Sequence, residues 1–363
     1  MKTKTSTYRL QYLDWLRGLA AVVMLQGHVF HSFLKNDLRG GGPYMLSQFL
    51  GGMPPAIFLF LTGITLAFLM DSTERKGLAP AQRLLTALRR SGYLFFLAFA
   101  FRLQLWIFGW PAPWTDLLRV DILNCMGMAM ALLSAMALFR TVERARLCAV
   151  LGLAIAFASP LITQMDWSWA PGVVRNYIVP DYNFFGFFPW GAYLAFGMSA
   201  GSIIRTVPAE GIERVMQWAA LLGGALILTS RYFANLPFSL YTKAEFWLNS
   251  PAQVLIKQGV TLVLVAFAFL WTRYAAGTGW SWIRQFGTTS LLVYWVHIEL
   301  VYGRWLSFFK TNLTEGETAV AAACVIVLML ALSTLKSNRH RLGPVLANLG
   351  WAWGAKPEGA AGD

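Results

Sequence analysis

Apolar residues fall along this chain in long blocks, not at alternate or every-third positions. A helix that crosses a bilayer needs about 20 mostly apolar residues, within a range of about 17–25. Ten runs meet or approach that length: 12–34, 52–70, 91–110, 117–139, 147–164, 183–204, 214–230, 251–272, 285–303 and 318–335. The runs 147–164, 214–230 and 318–335 are the shortest. The pattern predicts an all-α, polytopic transmembrane helix bundle over residues 1–335. A polar, Gly/Ala-rich cytoplasmic tail is expected over 336–363. The first run holds Asp14 and Arg17 and lacks a small-residue cleavage site, so it reads as a span and not as a removed leader.

Composition removes the soluble alternatives. Hydrophobic residues make up 57% and charged residues 13%, with a mean hydropathy of +0.52. Soluble domains carry about 25% charged residues, so this chain could not cover a water-facing surface of its size. The net charge of +13 would suggest nucleic acid in a soluble domain. Here the basic residues lie between the apolar runs, so a lipid bilayer is the partner and nucleic acid is not. Two thirds of the 30 Lys and Arg fall on one side of the ten runs, which places both termini in the cytoplasm by the positive-inside bias. Cys125, Cys148 and Cys324 sit in separate runs with no metal or redox spacing and read as small core residues; no metal is expected.

The remaining segments add little chemistry. Those at 35–51, 165–182, 231–250 and 304–317 are expected outside the cytoplasm and carry many aromatics, among them Trp167, Trp169, Tyr177, Tyr182, Tyr232 and Trp247. They read as an interfacial belt or, less simply, as a sugar-stacking platform. Gly40-Gly41-Gly42 reads as a flexible loop, and Gly63 as a close helix contact.

Ionisable groups in hydrocarbon cost at least about 2.5–3.5 kcal/mol each at mid-bilayer, so those in the spans are functional candidates. The first run contains Asp14, Arg17, Gln26, His28 and His31. Arg17 and His28 are eleven residues apart; at 100° per residue that is about 20° past three turns, and about 16 Å along the axis. Both therefore project the same way. Asp14 and Arg17, at i, i+3, form either an interfacial ion pair or a clamp for phosphate at the cytoplasmic mouth. His28 is either a bonded core imidazole or a base. Toward the outer ends of other runs lie Arg119, Asp121 and Asn124; Tyr294, His297 and Glu299; Lys257 and Gln258; and Arg102 with Gln104.

Five motifs in order resemble the heparan-alpha-glucosaminide N-acetyltransferase family: Leu13–Ala20 (LDWLRGLA), Phe58–Gly63 (FLFLTG), Arg119–Asn124 (RVDILN), Phe188–Gly191 (FPWG) and Thr289–Gly303 (TSLLVYWVHIELVYG). The spacing of Arg17 and His28 also resembles the acyltransferase-three membrane family. The resemblance implies a bacterial inner-membrane acyltransferase that takes an acyl group, typically acetyl, from acetyl-CoA or another acyl-CoA on the cytoplasmic side. It delivers that group to a sugar or glycolipid acceptor on the other side. In the eukaryotic heparan enzyme the proposed catalytic His lies in the first extra-cytoplasmic loop; residues 35–51 hold no His, and His28 matches the acyltransferase-three position instead. On this reading Arg17, with Asp14, holds the CoA phosphate. His28 is the general base or carries the acyl group. Asp121 and His297 complete the catalytic set, and Asn124, Arg119 and Glu299 bind the acceptor. The rival readings are a transporter or flippase that uses the same charges as a path, and a membrane scaffold. The oligomeric state is left open.

Overall fold

The structure is a computed structural model; it describes residues 5–277 and 279–339, with side chains from Gln11 onward. The described residues are helical, apart from loops and one isolated bridge between Leu34 and Leu313. The helices are α1 (Thr5–Phe33), α2 (Gly42–Gly51), α3 (Pro54–Arg75), α4 (Pro80–Phe108), α5 (Ile122–Leu133), α6 (Thr141–Gln164) and α7 (Gly172–Ile178), then α8 (Phe187–Thr206), α9 (Ile212–Ala234), α10 (Pro251–Leu270), α11 (Trp282–Thr288), α12 (Ser290–Tyr302) and α13 (Glu315–Ser337). Proline opens α3, α4 and α10, where the first backbone N–H has no helical partner to lose.

Among the described residues, seven helical stretches are long and apolar enough to cross a membrane: Gly42–Arg75, Pro80–Phe108, Thr141–Gln164, Phe187–Thr206, Ala209–Ala234, Pro251–Ala275 and Glu315–Ser337. The three runs that looked shortest by apolarity belong to helices of 24, 23 and 23 residues, because the helices continue past the runs into more polar turns at one or both ends. Three expected runs differ. The run 12–34 lies in α1, whose 29 residues suffice in length but carry the polar groups noted above. The run 117–139 forms only α5 and a 3-10 turn to Leu138. The run 285–303 is interrupted at Thr289, which separates α11 from α12. Gly40–Gly42 is not simply a loop: Gly41 caps α2 and Gly42 begins it, with Pro43 in the first turn. The tail beyond Arg339, with His340, lies outside the described residues.

α1 is the centre of the bundle and packs against α2, α3, α10, α11, α12 and α13. Its carbonyls at Ser32 and Phe33 accept from Thr311, Asn312 and Leu313, so the loop before α13 closes its C-terminus. Two crossings are backbone to backbone. A Cβ on Gly63 of α3 would overlap the Leu194 carbonyl of α8, and one on Gly197 would overlap Phe60. A Cβ on Gly18 of α1 would overlap the Ile283 carbonyl of α11, and one on Gly287 would overlap Asp14. Small residues let helices approach this closely, as expected for Gly63.

α1 and the α11–α12 pair run in parallel. Asp14 and Gly18 meet Gly287 and Ile283 at one end, His28 meets His297 further along, and His31 meets Tyr302 at the other end. At the end of the bundle where α3 finishes, Asp71 pairs with Arg75 and with Arg205 of α8, and Glu74 lies 3.5 Å from Arg83 of α4 and 3.7 Å from the fully buried Arg144 of α6. Thr141 completes this network on both carboxylates.

Candidate functional site

The packing leaves a cavity of about 1570 Å³, walled mainly by α1, α3, α4, α5 and α12. Its lining begins near one end of the bundle at Arg17, Arg90, Thr288 and Ser290, passes His28, and reaches Arg304 and Lys310 beyond the other end of α12. The eleven-residue spacing on α1 thus puts Arg17 and His28 on one cavity wall, as three turns of helix require.

At the Arg17 end, Nη1 donates to Asp14 Oδ1 at 2.7 Å. Asp14 does not line the cavity. It was expected to share in anion binding; its place is behind Arg17, where one bond fixes the guanidinium and leaves the rest of the fork for the cavity. The Gly18–Gly287 crossing brings Gly287 and Thr288 alongside Arg17. Arg90 of α4 was not expected. In the sequence it belongs to a basic run of the kind that sets topology, and nothing in its spacing marks it.

Further along, His28 Nδ1 lies 2.9 Å from His297 Nε2, with the rings 12° from parallel. His297 is fully buried and does not itself line the cavity; its Nδ1 lies 2.7 Å from the Val293 carbonyl. A carbonyl can only accept, so His297 Nδ1 carries a proton. In neutral His297 that leaves Nε2 as an acceptor, and His28 Nδ1 must donate to it. Neutral His28 then has its lone pair on Nε2. The ring edge of Tyr302 stands against His28, centroids 5.4 Å apart, and the Tyr302 hydroxyl lies 3.1 Å from His31 Nδ1. His31 also lines the cavity, although its direction on α1 differs by about 60° from that of His28.

Asp121 is the N-cap of α5. Its Oδ1 accepts from the backbone N–H of Leu123 and Asn124 at 3.0 and 3.1 Å. Its buried Oδ2 has no hydrogen-bond partner, and the residue lines the cavity with Arg102, Arg119 and Tyr294. Asn124 was expected to bind the acceptor. It is buried, its Oδ1 accepts from the Asp121 N–H, its Nδ2 donates to the Tyr177 hydroxyl at 3.0 Å, and it does not line the cavity. The pair forms a capping box at the i, i+3 spacing that also places two side chains on one face. Glu299 is buried and lines the outer part of the cavity with an unpartnered Oε2. Of the loop aromatics, Trp169, Tyr182, Tyr232 and Trp247 are exposed, and Tyr182 also borders the cavity.

Among the described residues no group of three His, Cys, Asp or Glu could hold a metal. Cys125 and Cys148 are buried and Cys324 is exposed; none pairs with another.

The fold is an all-α, multi-pass membrane bundle around a cavity with charged side chains in its wall, and the family comparison supplies the class. The family model described as "Heparan-alpha-glucosaminide N-acetyltransferase, catalytic" matches residues 9–235, more than half of the chain. The chain belongs to this family, and membership implies a membrane acyltransferase. The match takes in Arg17, His28 and Asp121; His297, Glu299 and Lys257 lie beyond it. A search of curated proteins finds no match.

Proposed function

We propose that the protein transfers an acyl group, acetyl in the simplest case, from acyl-CoA on the cytoplasmic side to a sugar or glycoconjugate on the other side of a bacterial inner membrane. The observation that carries this reading is the single cavity that holds both Arg17 and His28, with His28 Nδ1 committed to His297. Arg17, steadied by Asp14 and joined by Arg90, takes the CoA phosphates. The pantetheine arm runs along α1 and brings the thioester to His28. His28 Nε2 takes the proton from the acceptor hydroxyl or amine as that group attacks the thioester carbonyl, and returns it to the departing CoA thiolate. The same nitrogen is the nucleophile if the acyl group passes through His28. Asp121, Arg119 and Glu299 face the acceptor. The bundle has ten crossings with both termini in the cytoplasm, so that the Arg17 end of the cavity is the donor side.

The reach of the cavity from Arg17 to Lys310 favours a second reading, a transporter that passes its substrate unchanged. One experiment separates the two. Purified protein is given labelled acetyl-CoA, and hydrolysis and transfer are followed with His28→Ala alongside. The acyltransferase reading expects acetyl release by the wild type, reduced about 10²- to 10⁴-fold in His28→Ala, with CoA binding retained. Wild-type protein that binds acetyl-CoA and never cleaves it would favour the transporter. Mass spectrometry of envelope glycans and glycolipids from cells with and without the protein identifies the acceptor.

A further inference from the structure

Lys257 of α10 lines the cavity, partly buried, and among the described residues no acidic side chain pairs with it. Its ammonium is held 5.3 Å from the centre of the Trp190 ring. A cation on an aromatic face keeps its N–H donors free for an anion, which an ion pair with a carboxylate would not. A charge in the membrane that no protein group neutralises is expensive and marks a site whose partner arrives with the ligand.

Its depth says which ligand. A Cβ on Gly52 would lie 3.8 Å from Lys257 Nζ, and the neighbouring Gly51 packs on Gly27, where an added Cβ would lie 3.1 Å from the Gly51 Cα. Gly27 directly precedes His28. One close helix crossing therefore links the ammonium to the level of His28, about 16 Å along α1 from Arg17. The phosphates of CoA are at the Arg17 end on the reading above, and the acyl carbonyl they deliver is neutral. The anion at Lys257 must come with the other reactant. The balance of the whole lining agrees: seven Lys and Arg against two acids, Asp121 and Glu299.

We infer that Lys257, presented by Trp190, is an acceptor subsite that takes an oxyanion, phosphate or carboxylate, borne by the saccharide close to the group that is acylated. This rests on the acyltransferase reading for its word "acceptor"; the anion site itself does not.

The test uses the full-length purified protein, with and without acetyl-CoA, and two matched pairs of probes: glucosamine with glucosamine 6-phosphate, and glucose with glucuronate. Calorimetry reads binding, so transfer is not required. In at least one pair the wild type should bind the charged member about tenfold tighter or more, a step of about 1.4 kcal/mol. The pair that shows the preference identifies phosphate or carboxylate. Lys257→Met should erase the preference and Lys257→Arg should keep most of it, while acetyl-CoA binding changes less than about twofold, a difference well under one tenfold step. Lys257→Gln replaces the Met variant if that variant does not survive purification. Equal binding within both pairs by the wild type, or a preference that persists without Lys257, overturns the subsite. If the wild type neither binds nor cleaves acetyl-CoA while the charged probes still depend on Lys257, the acyltransferase reading fails and the anion site stands.

Discussion

His28 and His297 are separated by 269 positions in the chain, yet a single 2.9 Å contact decides which nitrogen of His28 can act as a base. The Val293 carbonyl sets the tautomer of His297, and His297 sets that of His28. Removing the acceptor atom should therefore harm catalysis without emptying the cavity. His297→Phe is expected to lower acetyl transfer about tenfold or more, within the 10²- to 10⁴-fold worth of the base itself. His297→Gln, whose amide oxygen can accept from His28 Nδ1, should retain more activity than Phe. Turnover assays at constant acetyl-CoA affinity check this, and equal activity in the two variants would show that the tautomer is set elsewhere. At the other end, Arg17→Ala should weaken acyl-CoA binding about tenfold or more. Arg17→Lys should recover little, because an ammonium cannot reproduce a fork that bonds Asp14 and phosphate together. Full binding by Arg17→Lys, measured by calorimetry, would remove the geometric content of that clamp. Arg17 and His28 were legible in the sequence because eleven residues close three helical turns. His297 was named with them, but its 2.9 Å contact with His28 was not legible, because periodicity carries no information across 269 positions. Asn124 shows a related limit: i, i+3 is the spacing of a shared helix face and also of the capping box it forms with Asp121.

At the scale of helices, hydropathy placed a run in each of the seven long apolar stretches but could not see where a helix stops inside a run. Thr289 interrupts the run 285–303, and its hydroxyl meets Ser333 of α13. That break turns Thr288 and Ser290 toward the cavity. α5 is short, and its N-cap Asp121 lies in the cavity wall. The crossings that hold these helices in place depend on missing side chains. Gly287→Ala puts a methyl group onto the Asp14 carbonyl, and Gly63→Ala puts one onto the Leu194 carbonyl. Each must push two backbones apart, at a cost of about 1–3 kcal/mol or more. Both variants should melt at lower temperature in detergent. Gly287→Ala should also weaken acyl-CoA binding, since Gly287 lies beside Arg17; Gly63→Ala, in the α3–α8 crossing, should do so less. If Gly287→Ala melts and binds like the wild type, α11 does not set the donor mouth.

At the scale of the molecule, the ion-pair network at the end of α3 fixes how the chain is threaded. α4 starts there, with Arg83 close to Glu74, and ends at Phe108 after 29 residues, about 43 Å of helix. α6 also starts there, with Arg144 near the same Glu74, and Arg83 donates to the Leu138 carbonyl at the end of the α5 segment. The chain has to return between α4 and α6, and α5 with its 3-10 turn is what returns it, helped by 109–121 folding inward. The same logic applies to α11 and α12, which run beside α1 from Gly18 to His31. The ten crossings proposed above need α1 and these two short passages to cross along with the seven long helices. This threading makes a sharp expectation at position 140, between α5 and α6. With the three native cysteines replaced, a cysteine at Arg140 should be labelled only from the cytoplasm, together with a reporter fused after Asp363. A cysteine at Asp181, between α7 and α8, should be labelled only from outside. Arg140 labelled from outside would mean that α5 does not cross. The even count and the positive-inside bias would then have to be redrawn, because both place the α3–α4 turn and the start of α6 on the same side, and the side proposed for CoA at Arg17 would fall with them.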